Sequence, residues 1–199
     1  MKLVLCYRDE PLGDAWRHTF RDLPGVEITG GDICQIPCDA IVSPANSFGF
    51  MDGGLDHLLS ERFGWDLEQR VQRAIQARPM RELLIGEAIV VPTEDVRIPW
   101  LICAPTMRVP MRIRTTVNAY LAMKAILIAA RSHKTDIPIE TLAVPGLGTG
   151  IGQLAPELAA GQMAQAYREV VLHDHKYPGS FAEAQKMHLA LNRTGMIYD

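Results

Sequence analysis

The feature that most limits what this chain can fold into is a three-residue apolar run, Ala40-Ile41-Val42. It stops abruptly at a polar, glycine-bearing stretch, Ser43 to Asp56 (SPANSFGFMDGGLD). A short β-branched run between polar flanks reads as a strand covered on both faces, and such strands belong to parallel sheets with helices on either side. The stretch behind it is poor core material. It carries the amide of Asn46, the adjacent Gly53 and Gly54, and the carboxylates of Asp52 and Asp56. Glycines let another molecule approach the backbone, and Asn and Asp offer hydrogen bonds or proton chemistry. Ligands of open α/β sheets sit beyond the carboxyl ends of the strands, where this stretch is expected to lie. Leu55, Leu58, Leu59 and Phe63 then recur at helical spacing. That puts Gly53 and Gly54 at a helix N-terminus, with unpaired N–H groups pointing outward.

The same pattern returns about a hundred residues later. Thr141 to Val144 reads as a strand and runs into Gly146 to Gly152 (GLGTGIG), ahead of a helix from Pro156 to His173. The glycines follow G-x-G-x-G-x-G. The dinucleotide fingerprint G-x-G-x-x-G and the Gly-Lys-Ser/Thr ending of a P-loop are both missing, which disfavours a nicotinamide dehydrogenase and a P-loop ATPase. Alternating glycines between a strand and a helix still suit a nest of N–H donors around a diphosphate. A glycine-rich turn under packing constraint is the competing reading. Two such loops, each behind a strand, favour one shared anionic ligand.

The remaining segments alternate between strand and helix. Lys2 to Tyr7 and Val26 to Thr29 read as strands, and Pro11 to Asp22 as a helix that ends before Pro24. Gly30-Gly31-Asp32-Ile33 is a turn in which Asp32, taken alone, reads as a turn or cap residue. Trp65 to Arg78 is a helix with Leu67, Val71, Ala74 and Ile75 inward. Glu87 to Pro92 and Trp100 to Ala104 are strands, and the turn chemistry of TEDVRIP allows them to be an antiparallel pair. Arg108, in the loop PTMRVP, either neutralises a ligand phosphate or is a solvated side chain. Ile113 to His133 reads as a long helix, and Ser180 to Leu191 as a short one before a polar tail. This alternation implies one α/β domain over residues 1–199, with 174–199 as a helical extension of it.

Composition narrows the function. At 199 residues and 48% apolar, the chain supports one full core. No run approaches the ~18 apolar residues of a membrane span. The start, MKLVLCYRDEP, has too short an apolar stretch for a secretory signal, so a cytoplasmic protein is expected. A net charge of −3 argues against a broad nucleic-acid surface but not against a phosphate ligand held by backbone N–H groups. Cys6, Cys34, Cys38 and Cys103 read as buried, reduced thiols. Cys34 and Cys38 lack a second pair at zinc spacing, and His173 and His175 stand in a polar stretch, so neither a metal nor a cofactor is expected. A Gly-x-Ser-x-Gly elbow and an HExxH motif are both absent.

Taken together, the pieces resemble the macro domain family, which binds ADP-ribose. Gly31-Asp32-Ile33 after an early strand matches it. So do Ala40 to Asn46, similar to the family's strand and N-x-A-N loop, Gly53-Gly54-Leu55-Asp56, and Gly148-Thr149-Gly150-Ile151-Gly152. The resemblance spans roughly Val26 to Tyr167 and implies a three-layer α/β/α sandwich around a mixed, mostly parallel sheet. It implies that Asp32 and the backbone of Ile33 meet the adenine and that Asn46 meets the distal ribose. Gly53, Gly54 and Gly148, Thr149, Gly150, Ile151 and Gly152 would wrap the diphosphate and the distal ribose, with Asp56 closest to the reacting sugar carbon. Ser43 stands where the first Asn of N-x-A-N is expected, and Asp52 stands where many members carry a glycine. Asp52 would face the distal ribose or cap the following helix, and Phe48 or Phe50 would supply ring contacts that the second loop lacks. SPANSFGFMDGGLD and PTMRVP suggest a bacterial or phage-like branch. The implied activity is de-ADP-ribosylation: hydrolysis of the bond between the distal ribose and a protein side chain or small molecule, with Asp56 or Asp52 as the catalytic acid, aided by Asn46. A non-catalytic ADP-ribose reader is the alternative, and a phosphatase acting on a nucleotide or RNA end is a third reading. The partner expected is ADP-ribose or an ADP-ribosylated protein, with no nucleic acid and no membrane.

Overall fold

The computed structural model describes residues 1–192; the polar tail expected beyond them lies outside the described residues. Six strands form one sheet: β1 (Lys2–Tyr7), β2 (Val26–Gly30), β3 (Ala40–Ser43), β4 (Ile89–Pro92), β5 (Trp100–Cys103) and β6 (Thr141–Val144). Their spatial order is β2-β1-β6-β3-β5-β4. All pairs are parallel except β4 with β5, which is antiparallel, the pairing the turn chemistry allowed. The helices are α1 (Glu10–Thr19), α2 (Gly54–Phe63), α3 (Asp66–Gln76), α4 (Asn118–Ser132), α5 (Pro156–Val170) and α6 (Phe181–Ala190). No described helix is long and apolar enough to cross a membrane.

Two hydrophobic cores, one on each face, make this a three-layer sandwich. Leu3, Leu5, Ala40, Val42, Ile102, Leu142 and Val144 meet α1, α4 and α5 on one side. Ile41, Leu101, Cys103 and Ala143 meet Leu59 and Phe63 of α2 and Leu67, Val71 and Ile75 of α3 on the other. The reason is the period of two along each strand: both alternate sets are apolar, so both faces need a helical cover. In β3 the residue after Ile41 on the α2 side is Ser43, a buried polar residue at the strand's carboxyl end.

The expected helix from Ile113 starts five residues late, at Asn118. Ile113 is apolar and suits a helix, but its N–H donates to the Gly152 carbonyl and its side chain lies against the second glycine loop. A tertiary contact therefore overrides the local periodicity. Gln162, fully buried in α5, links this region. Its side chain donates to Thr116 O and Leu191 O and accepts from the N–H of Tyr120. Leu191, just past α6, thus meets α5 through Gln162, and Ser180 caps α6 by accepting from Glu183 N.

Candidate functional site

Strands β1, β3, β5 and β6 run parallel, so their carboxyl ends share one edge of the sheet. A cavity of about 730 Å³ opens at that edge. Both glycine loops line it, together with Asp32, Ile33, the strand ends, Thr106, Met107 and Pro110.

At its floor the Ser43 hydroxyl donates to the Asp56 carboxylate. The alternation along β3 turns Ser43 toward α2, and Asp56 in the first turn of α2 faces back. Ser43 also lies in register with Cys103 of β5, whose buried thiol is pushed up by burial and then by the Asp56 charge. Burial pushes the pKa of Asp56 up to about 6; the hydroxyl of Ser43 pulls it down, and the charges of Asp52 and Glu68 push it up. Asp56 is half-buried, with its open side toward the cavity.

The first loop is held by polar side chains. Asn46 Oδ1 accepts from the N–H groups of Phe48 and Phe50, and its Nδ2 donates to Phe50 O. Glu68, one helix further on in α3, accepts from Met51 N. Beyond these pins, Gly54, Leu55 and Asp56 occupy the first turn of α2, where an N–H has no intrahelical acceptor. Among the described residues none of the three donates elsewhere.

The second loop is held by shape. A Cβ on Gly152 would stand 2.5 Å from Gly148 O; one on Gly146 would meet Thr149 and Leu12, and one on Gly148 would meet Ile113 at 2.7 Å. These three glycines are packing glycines. Gly150, Gly53 and Gly54 differ: a Cβ there meets nothing within 4 Å. They line the cavity, so their missing side chains leave room for a ligand to reach the backbone. From Gly146 to Gly152 no N–H donates to an acceptor among the described residues. Unpaired donors converging from two sides of one cavity are what an anion requires.

The family model of the macro domain matches residues 42–163, more than half of the chain. The chain belongs to the macro domain family. A protein of Aquifex aeolicus, itself uncharacterized, is 29% identical over 72% of this chain and 81% of its own length. One from Aeropyrum pernix, also uncharacterized, is 32% identical over 70% and 68%. Among solved structures, the macrodomain of Mycobacterium tuberculosis DarG superposes with a TM-score of 0.59 at 22% identity, over 70% of this chain and 87% of that one. An Oceanobacillus iheyensis macrodomain mutant with ADPR superposes with a TM-score of 0.60 at 18% identity, over 73% and 77%. Thermosipho africanus DarTG in complex with ADP-ribose does so with a TM-score of 0.57 at 17%, over 83% and 50%.

In this macro domain the residues assigned to ligand binding or catalysis by the family resemblance line the cavity: Asp32, Ile33, Asn46, Asp52, Gly53, Gly54, Asp56 and the run Gly148, Thr149, Gly150, Ile151 and Gly152. Asp32 also acts locally, since it precedes a short 3-10 turn and accepts from Cys34 N. Asp52 does not cap α2: the cap position is Gly53, and no side chain closes it. Asp52 is exposed at the rim instead. Arg108 is tied to Glu82 through two hydrogen bonds, lies over the Phe48 ring and does not line the cavity. Phe50, 55% exposed, lines the cavity, and Phe48 does not. All four thiols are buried and free; burial pushes Cys6 and Cys34 up to about 11 and Cys38 to about 12, which leaves them inert.

Sequence reasoning missed Glu68 and the role of Ser43. Ser43 read as a departure from the N-x-A-N pattern, yet strand alternation from Ile41 already turned it toward α2 and Asp56. Glu68 gave no signal, because a carboxylate on the outer side of a helix is ordinary.

Proposed function

We propose that this macro domain binds ADP-ribose in the cavity and hydrolyses the bond between the distal ribose C1 and an attached group. The observation that carries the reading is a partly buried carboxylate, Asp56, with a pKa of about 6, placed beside two sets of unpaired backbone N–H donors. In the proposed complex those N–H groups hold the diphosphate, and Asp32 with the Ile33 backbone holds the adenine. Asn46 keeps one amide hydrogen for a ribose hydroxyl, since the loop uses only one.

Fixing the diphosphate brings C1 next to a water at the cavity floor. As the bond to the leaving group lengthens, positive charge develops at C1, as in glycoside hydrolysis. Asp56 takes a proton from the attacking water, and its neighbour Asp52 adds negative charge that stabilises the cationic sugar. The carbon–oxygen bond breaks, and a carboxylate leaving group departs as the anion. With a pKa near 6, Asp56 is mostly ionised at neutral pH and still basic enough to accept the proton. Ser43 orients its carboxylate. A reader could use the same N–H donors but gains nothing from burying an acid, which costs free energy.

The test is release of ADP-ribose from carboxylate-linked mono-ADP-ribosylated protein, with binding of free ADP-ribose titrated alongside. Release by wild type, and binding without release by Asp56→Asn, is the expected result. Tight binding with no release from carboxylate-, arginine- or serine-linked substrates would make the protein a reader and sink the hydrolase. Absence of both binding and release would sink the site itself. Phosphate release from ADP-ribose 1″-phosphate without cleavage of protein-linked ADP-ribose would favour a phosphatase.

A further inference from the structure

The cavity that receives a dianionic ligand in the reading above has an odd charge pattern. Four carboxylates line it, Asp9, Asp32, Asp52 and Asp56, and a single cation, Arg8. Arg8 follows the last residue of β1. There the sheet places it between two neighbours: Tyr7 pairs with Gly30 of β2, and Leu5 pairs with Val144 of β6. Its position is therefore between the Asp32 turn on one side and the start of the second glycine loop on the other.

Arg8 has no ion pair or hydrogen bond with a side chain or carbonyl among the described residues. The acids of the adjoining helix are already taken: Arg17 pairs with Glu10 and Asp14 and donates to the Tyr7 hydroxyl. Elsewhere Arg62 is tied to Asp95, Arg70 to Asp66 and Arg108 to Glu82, and none of these three lines the cavity. Arg8 also precedes the matched segment, residues 42–163, so it belongs to the β1–α1 unit of this chain.

We propose that Arg8 binds a phosphate at the nucleoside end of the ligand and so selects phosphorylated nucleosides over uncharged ones. The inference rests on the cavity being the ADP-ribose site. A guanidinium presents a fork of N–H donors that matches phosphate oxygens, and it keeps its charge at every working pH. The glycine loops supply neutral donors only. Arg8 adds the one full positive charge that offsets the four carboxylates. The phosphate it meets is either the one joined to the adenosine C5 oxygen or an additional one on the adenosine ribose.

The experiment is equilibrium binding of adenosine, ADP, ADP-ribose and ADP-ribose 2′-phosphate to wild type, Arg8→Gln and Arg8→Lys. Arg8→Gln is expected to weaken ADP and ADP-ribose roughly tenfold, the scale of a charge-assisted hydrogen bond at an open site. Adenosine binding should not change, and Arg8→Lys should recover part of the loss. Raising salt should weaken wild type more than Arg8→Gln. If the contact is to a phosphate on the ribose, the loss falls on ADP-ribose 2′-phosphate alone. An equal loss for adenosine and ADP would show that Arg8 only shapes the wall, and no loss for any ligand would exclude the contact; both overturn the proposal. Failure of wild type to bind ADP or ADP-ribose would instead remove the site reading on which it rests.

Discussion

The two glycine loops face the same cavity but are held in opposite ways. The loop after β6 is locked by sterics: Gly146, Gly148 and Gly152 leave no room for a Cβ against Leu12, Ile113 and the Gly148 carbonyl. The loop after β3 is locked by polar contacts from Asn46, Glu68 and the Ser43–Asp56 pair. Packed contacts are indifferent to pH, whereas a carboxylate with a raised pKa is not. The second loop is thus a sterically fixed set of unpaired N–H donors, and the first is the half whose chemistry can be tuned by protonation.

The sharpest way to break that division is Asp56→Asn. Turnover is expected to fall by roughly 10²–10⁴-fold while ADP-ribose affinity is kept, since the loss is of a general base and not of a donor. Parallel kinetics and titration would measure the split. A matching fall in affinity would show that Asp56 builds the loop.

The next effect is steric. Gly152→Ala forces a Cβ against backbone and should destabilise by about 1–3 kcal/mol, seen as a fall in Tm. Gly150→Ala meets nothing within 4 Å, so its Tm should be unchanged or slightly raised while ADP-ribose affinity drops. Equal Tm values for the two variants would show that the loop relaxes around added bulk.

The pH dependence gives a smaller, signed test. The proposed mechanism needs ionised Asp56, so the rate should rise with pH through an acid limb near the pKa of about 6. Ser43→Ala removes the hydrogen bond that pulls this pKa down, and its limb should move to higher pH. Asp52→Asn removes a charge that pushes it up, and its limb should move lower. Shifts of the same sign in both variants would contradict the proposed control of the carboxylate.

The smallest effect is on stability. A carboxyl whose folded pKa lies above its unfolded value binds extra proton in the native state, so its contribution weakens as pH rises from about 4 through about 6. Asp56→Asn should therefore gain stability relative to wild type across that window. Denaturant titrations at the two ends would measure it.

Much of the fold was legible because it rests on periodicity. Short apolar runs at β3, β5 and β6 and the alternating helices pointed to a covered parallel sheet, and TEDVRIP allowed the antiparallel pair. Boundaries failed where a distant partner intervened. The first turn assigned to the long helix went instead to the second glycine loop, because Ile113 packs against Gly148 and Gly152. Arg108 was undecided for the same reason: Glu82, which holds it, is 26 residues away.

The sequence by itself determined where donors and acids must cluster, because glycines and short strands declare their places locally. It also carried the family, through four short motifs in order. Only the tertiary structure decided which glycines are packing glycines and which leave the ligand room, since that depends on side chains from α1 and the 105–114 segment. It likewise decided that the Ser43 hydroxyl donates to Asp56, and that Arg8 stands as a cation among carboxylates. Those facts depend on distances between segments, which no local pattern encodes.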